Sequence, residues 1–374
     1  MKRILCLVAA ACLMLLCGCS LFEKEYLYIS DYDSNISAPA EPEIGAIDSY
    51  DALLNSLEGM VSRHQESAEL QFNNYVGSIS EDMAAACWQV KSASTLGSYM
   101  VDYISYDISR IVTYYQAVVY INYTRTAEEL EQIHTIGANK IAETVIDAVT
   151  NGETTLSMQL YTSAIDGDAM AQRVENALLS APDVVSVIPD ISVSVYGGTG
   201  LQRIFEVDFD YRGAENIPDR CTELKNVVET VSARIRVSEP YSIAILAANA
   251  LGDRCRYSAE DQTGTAYDAL IGGTGGSRAL SMAYAAVCGD KGLEYKIVRG
   301  LKNNESYYWV QVKIGDYWYH ADVCEAIGLP DGTPFLRNDA EMIRSFRWDE
   351  LEYASCEGPS LLIPAENAEK NNGN

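Results

Sequence analysis

Two stretches of this chain carry the same order of segments about 87 residues apart, and that internal repeat limits its architecture more than any other feature. The first copy opens on a predicted helix from Asp48 to His64, with Leu53, Leu54, Leu57, Met60 and Val61 at helical spacing. A strand "AELQFNNY" follows, then a helix from "SEDMAAACWQV", then two tyrosine-rich strands, "YMVDYISYDI" and "TYYQAVVYINY". The second copy has a helix from Ile136 to Val149, a strand "TTLSMQLY", a helix "DGDAMAQRVENALL" and the strands "ISVSVYG" and "RIFEVDFDYRG". Met83 matches Met170 and Tyr123 matches Tyr211 at nearly the same offset. Each copy reads αβαββ with little apolar surface of its own, so the two are expected to pack side by side as an α+β module over 44–134 and 135–215. Eleven of the 25 tyrosines are concentrated in these strands. A stacking surface for glycans is one reading of them; the simpler one is strand propensity and half-buried faces.

The N-terminus has Lys2 and Arg3, an apolar run from Ile4 to Leu16, and then "LCGC". The run is too short for a spanning helix, and its basic, apolar, small-residue order is that of an export signal. It resembles a bacterial lipoprotein signal, with Leu16 and Gly18 placed before Cys19. That resemblance implies a signal peptide over 1–18 and a lipid on Cys19, whose acyl chains hold the protein to the membrane surface on its extracytoplasmic side. Residues 19–43 are polar and acidic with Ser and Pro and read as a spacer; 359–374, ending "AENAEKNNGN", read as a disordered tail.

A glycine-rich loop enters an apolar helix at "GGTGGSRALSMAYAAVC", setting Ser277 where a nucleophile or a phosphate would sit. The phosphate reading fails, because no Lys precedes the Ser and the glycines do not complete G-x-G-x-x-G. The glycines suit a tight turn that leaves backbone N–H groups facing a cleft. Arg278, just inside, could meet an anion there, although a solvated arginine is the plainer reading.

The stretches "SEPYSIAILAANALGDRCRYS", "AYDALIGGTGGSRALSMAYAAVCGDKGLEYKIVRG", "YYWVQVKIGDYWYHADV" and "FLRNDAEMIRSFRWDELEYASC" occur in an informative order. Residues 216–358 thereby resemble the transglutaminase-like superfamily, which implies a papain-like α+β domain after the repeats. In that family a Cys opens the central helix as nucleophile, a His begins a "HAWN" strand as base, and an Asp orients the His. The geometry suits a thiolate held by a helix N-terminus and an imidazolium. Laid on this chain, the Cys position falls on Ser277, the His position on Tyr307 and the Asn on Val310, while Trp309, the hairpin Gly315 to Asp322 and Asp322 itself are kept. A Ser needs a base, and Tyr307, with an ordinary pKa near 10, is a poor one. Loss of a nucleophile or its base costs on the order of 10⁶ in turnover. The expectation is a domain that keeps the fold without the reaction, with a candidate cleft of Ser277, Arg278, Tyr307, Tyr308, Trp309, His320 and Asp322.

Two rescues compete with that expectation. Ser277 with His320 and Asp322, two apart on one predicted strand, would be a rebuilt triad of an acyl hydrolase or transferase. Cys288 would be a displaced nucleophile, but it lies eleven residues into the helix and follows "AYAAV" as a core residue would.

Composition narrows the partners. A net charge of −26 and no basic stripe work against nucleic acid. Three histidines (His64, His134, His320) and no CxxC pair leave no case for a metal, and no cofactor is implied. With Cys6, Cys12, Cys17 and Cys19 in the signal, Cys87, Cys221, Cys255, Cys288, Cys324 and Cys356 remain. Disulfides are allowed in an exported chain, with Cys324–Cys356 and Cys221–Cys255 as candidates beside free buried thiols. The expected partners are the membrane, through the lipid, and a cell-wall peptide, glycan or envelope protein; a spacer with no ligand is the third alternative.

Overall fold

The computed structural model describes residues 47–162, 164–198, 200–261, 263–326 and 334–362. The expected signal, the spacer and the end of the tail lie outside these residues.

The first copy runs α1 (Tyr50–Ser62), β1 (Ser67–Phe72), α2 (Ile79–Ala93), α3 (Thr95–Met100), β2 (Val101–Ile111), β3 (Tyr114–Tyr123). After the short α4 (Ala127–Glu131) and β4 (His134–Thr135), the second runs α5 (Ile141–Thr150), β5 (Thr155–Tyr161), α6 (Gly167–Ser180), β6 (Asp190–Tyr196), β7 (Gln202–Asp210). Both sheets place the last strand between the other two: β1-β3-β2, and β4-β5-β7-β6. In each copy the first helix buries four residues at the same spacing, Leu53, Leu57, Met60 and Val61 in α1 and Ile141, Val145, Ala148 and Val149 in α5. That spacing makes one apolar stripe, which lies on the sheet's inner face.

The matched tyrosines also do the same job. The Tyr123 hydroxyl donates to the carbonyls of Met60 and Gln65 at 3.3 and 3.0 Å, and that of Tyr211 to those of Val149 and Glu153 at 3.4 and 2.8 Å. Each ties the end of the last strand to the exit of the first helix, where carbonyls lack intrahelical partners. Burial pushes the Tyr123 phenol up to about 12.

Tyr99 and Met100, expected in a strand, instead end α3, whose N-cap Ser94 accepts from the Gly97 N–H at 3.0 Å. This helix sets Tyr99 and Met100 against Ile204 and Tyr196 of the second sheet. Arg125 locks the junction: its guanidinium reaches both Glu206 oxygens at 2.8 and 2.9 Å and lies 4.1 Å from the Tyr99 ring centre.

The C-terminal part continues with α7 (Ile217–Ser232), α8 (Pro240–Arg254), β8 (Arg256–Tyr257), α9 (Ala266–Leu270), β9 (Thr274–Gly275) and α10 (Ser277–Asp290). Then come β10 (Tyr295–Lys302), β11 (Glu305–Ile314), β12 (Tyr317–Ala321), α11 (Val323–Ala326), β13 (Pro334–Arg337), α12 (Asp339–Met342), β14 (Phe346–Arg347) and β15 (Leu361–Leu362). The sheet is antiparallel in the order β14-β10-β11-β12-β13-β15. Its hairpins have two-residue loops: Asn303 and Asn304 both sit at positive φ (53° and 71°), as a type I′ turn requires, and Gly315 at 60° opens the next. Within the tail expected from 359, Leu361 and Leu362 pair with β13.

Helix α10 is the centre of this part, between α7, α8 and α9 and the sheet, and every residue from Ser277 to Cys288 is buried. Its small residues, Ala279, Ser281, Ala283, Ala285 and Ala286, let neighbours approach on all sides. One hydrophobic core runs from Ile141 through α10 to Leu336, joining the second copy to the C-terminal part, while the first copy has a core of its own around Leu53, Met83 and Val119. The boundary expected at 215/216 therefore crosses continuous packing.

Candidate functional site

Side chains alternate across β11, so the residues expected in one cleft fall on two faces. Tyr308, Val310 and Val312 face α10; Tyr307 and Trp309 face the other way, into a small core with Met342 and Phe346. All seven candidates are buried, none above 9% exposed, and Ser277, Trp309 and His320 have no exposure at all. They do not gather around one cleft: of the seven, Arg278 borders a cavity whose lining includes none of the other six.

Ser277 is the first residue of α10, after N-cap Gly276. Its hydroxyl accepts the Tyr308 N–H at 3.2 Å. The contact has a local cause: β12 pairs with β11 only from Val310 to Ile314, so Tyr308 lies beyond the end of that ladder. A backbone N–H buried there needs a partner, and the Ser277 hydroxyl is it. Gly276 is required by space, because a Cβ there would stand 1.5 Å from the Asp261 carbonyl oxygen, and Gly273 by its φ of +78°.

On the other face, the Tyr307 hydroxyl donates to Asp322 Oδ1 at 3.0 Å. Lys302 Nζ reaches Asp322 Oδ2 at 2.8 Å and Glu325 at 2.7 Å, and the Cys324 N–H donates to Asp322 Oδ1 at 3.1 Å. Burial, then the Asp322 carboxylate, pushes the Tyr307 phenol far above its ordinary value. Burial alone would lower Lys302, but Asp322 and Glu325 hold it above the usual amine value. Tyr307 therefore stays protonated and Lys302 charged, and neither is a base at neutral pH.

His320 does not join Ser277 or Asp322. Trp309 Nε1 donates to its Nδ1 at 2.8 Å, and its Nε2 lies 2.8 Å from Asp339 Oδ1. With Nδ1 accepting, the neutral ring carries its proton on Nε2 and donates to Asp339. The proposed pairing of His320 with Asp322 is thus replaced by two separate networks. Asp339 was missed in the sequence; nothing in its neighbourhood announces it, since it lies nineteen positions from His320. His320, Asp339 and Cys356 bring one donor atom each within 4.8 Å. A metal on Nε2 would force the ring proton onto Nδ1, against the Trp309 N–H, so these donors do not fit a cation.

The remaining cysteines are free thiols, and neither candidate disulfide forms. Cys221 pairs with the Ser186 hydroxyl at 3.3 Å, Cys255 donates to the Ala269 carbonyl at 3.1 Å, and Gln311 donates to Cys356 at 3.3 Å. Burial pushes Cys288 up to about 12, the state of a core residue rather than a nucleophile. Cys87 is raised to about 11 by burial.

No family model matches the sequence, and no curated protein matches it. Among solved structures, a TGase is similar at 11% identity and a TM-score of 0.26, over 57% of this chain and 63% of the other; the match thus spans less than two thirds of the TGase. A protein from Cytophaga hutchinsonii described as a cysteine protease is similar at 12% identity and a TM-score of 0.24, over 47% of this chain and 74% of its own.

Proposed function

We propose that this chain is a lipid-anchored surface protein in which a transglutaminase-like region without the reaction serves as a binding or scaffolding module at the cell envelope. The observation that carries the reading is the fate of the nucleophile position. Ser277 is wholly buried and its hydroxyl is spent on the Tyr308 N–H, while the base position holds a protonated tyrosine clamped by Asp322. A serine with no base and no path to substrate has nothing to attack with or to attack. The fold and the Asp are retained for packing, and the His320–Asp339 pair belongs to a separate network.

The test is covalent labelling of the folded protein by a fluorophosphonate and by iodoacetamide. No adduct on Ser277 or Cys288 is expected; a Ser277 adduct lost in Ser277→Ala would restore the acyl hydrolase. The anchor is tested separately by cell fractionation, where Cys19→Ala should move the protein out of the membrane fraction.

A further inference from the structure

Where the second copy meets the C-terminal part there is a cavity of about 540 Å³, lined among others by Glu175, Asp190, Arg212, Arg278 and Arg299. Three arginines converge here in a chain with 27 basic and 53 acidic residues. Two of them are paired. Arg212 Nε donates to Asp190 at 2.6 Å, and Arg299 forms an ion pair with Glu175. Arg212 also holds a left-handed backbone, φ 53°, which disfavours any residue with a side chain and tends to persist at functional positions.

Arg278 differs. It is only 9% exposed, its Nε donates to the Gly264 carbonyl at 3.0 Å and a second N–H donates to that of Thr263. Among the described residues no carboxylate forms an ion pair with it; Asp190, held low first by Arg212, feels Arg278 only from further away. Two carbonyls orient the guanidinium but do not cancel its charge, and a buried charge without an opposite one is costly.

We propose that this cavity is a binding site for a carboxylate-bearing ligand, with Arg278 as the fixed cation and Arg212 and Arg299 closing on the anion. Guanidinium groups match carboxylates through paired N–H donors. Asp190 and Glu175 are the internal counter-ions that the ligand's carboxylates replace. The assignment rests on the binding reading above for its place in the molecule.

Isothermal titration of the folded chain with citrate at low ionic strength tests it. Saturable binding to one site is expected, weakened about tenfold by Arg212→Gln and strengthened by Glu175→Gln, which frees Arg299. Arg212 is half exposed, so its variant should fold, and matching melting curves check this. Opposite signs from the two substitutions are not produced by a structural role. No saturable heat, or affinity indifferent to both substitutions, overturns the site; inorganic phosphate binding as tightly as citrate overturns the carboxylate assignment. A labelled Ser277 would end the non-catalytic reading and leave this site standing, whereas absent heat would do the reverse.

Discussion

At Ser277 the hydroxyl stands in for a missing strand. Ser277→Ala removes the acceptor of a buried N–H, and a loss of about 1–3 kcal/mol is expected in urea unfolding. Asp322 carries more: it is 2% exposed and receives Tyr307, Lys302 and two backbone N–H groups. Asp322→Asn leaves Lys302 with Glu325 as its counter-ion but weakens the acceptor of Tyr307 and of two backbone N–H groups, and should cost about 1–3 kcal/mol, measured the same way. His320 gives a pH signature. Burial holds its imidazole below the ordinary 6.5 despite the pull of Asp339, so between the native value and 6.5 the unfolded chain binds more protons. Stability should therefore fall as pH drops through about 6.5, by at most about 1.4 kcal/mol per unit, and His320→Gln should flatten that slope in urea midpoints taken from pH 7 to 5.5.

Among the elements, the loop into α10 shows two different demands for glycine. Gly276→Ala would drive a Cβ into the Asp261 carbonyl and should destabilise by about 1–3 kcal/mol or more, while Gly273→Ala makes only an ordinary 3.7 Å contact with the Arg254 carbonyl but holds a positive φ and should cost about 1 kcal/mol. Thermal melts of the two variants separate the causes. The repeat was legible in the sequence because Met83 and Met170, or Tyr123 and Tyr211, answer local demands that recur: a helix stripe, and a strand end tied to a helix exit. Helix α3 was hidden because Tyr99 and Met100 continue the tyrosine-rich pattern of β2, and only the Ser94 cap and Gly97 distinguish them. The site was legible in its residue types and illegible in its pairing. Which of Ser277, Tyr307, His320 and Asp322 meet depends on strand parity and on where β12 stops, and Asp339 and Lys302 enter from elements whose positions no spacing encodes.

Across the whole molecule, two cores meet at α3 and Arg125. Arg125→Met would leave Glu206, 7% exposed, without its cation, and the first copy should then open at lower urea than the rest, giving two transitions in hydrogen exchange of β3 and of α10. The larger core has no such seam, since it runs unbroken from the second copy into the C-terminal sheet. The chain enters the described fold at Ile47, which lies parallel to the end of β1 and exchanges backbone hydrogen bonds with Gln71 and Asn73. A pull on the N-terminus is therefore borne first by that short bridge and then by the smaller core. Were the chain held at its N-terminus, the first copy, with the smaller core, would be expected to yield before the larger one, as a mechanical fuse does.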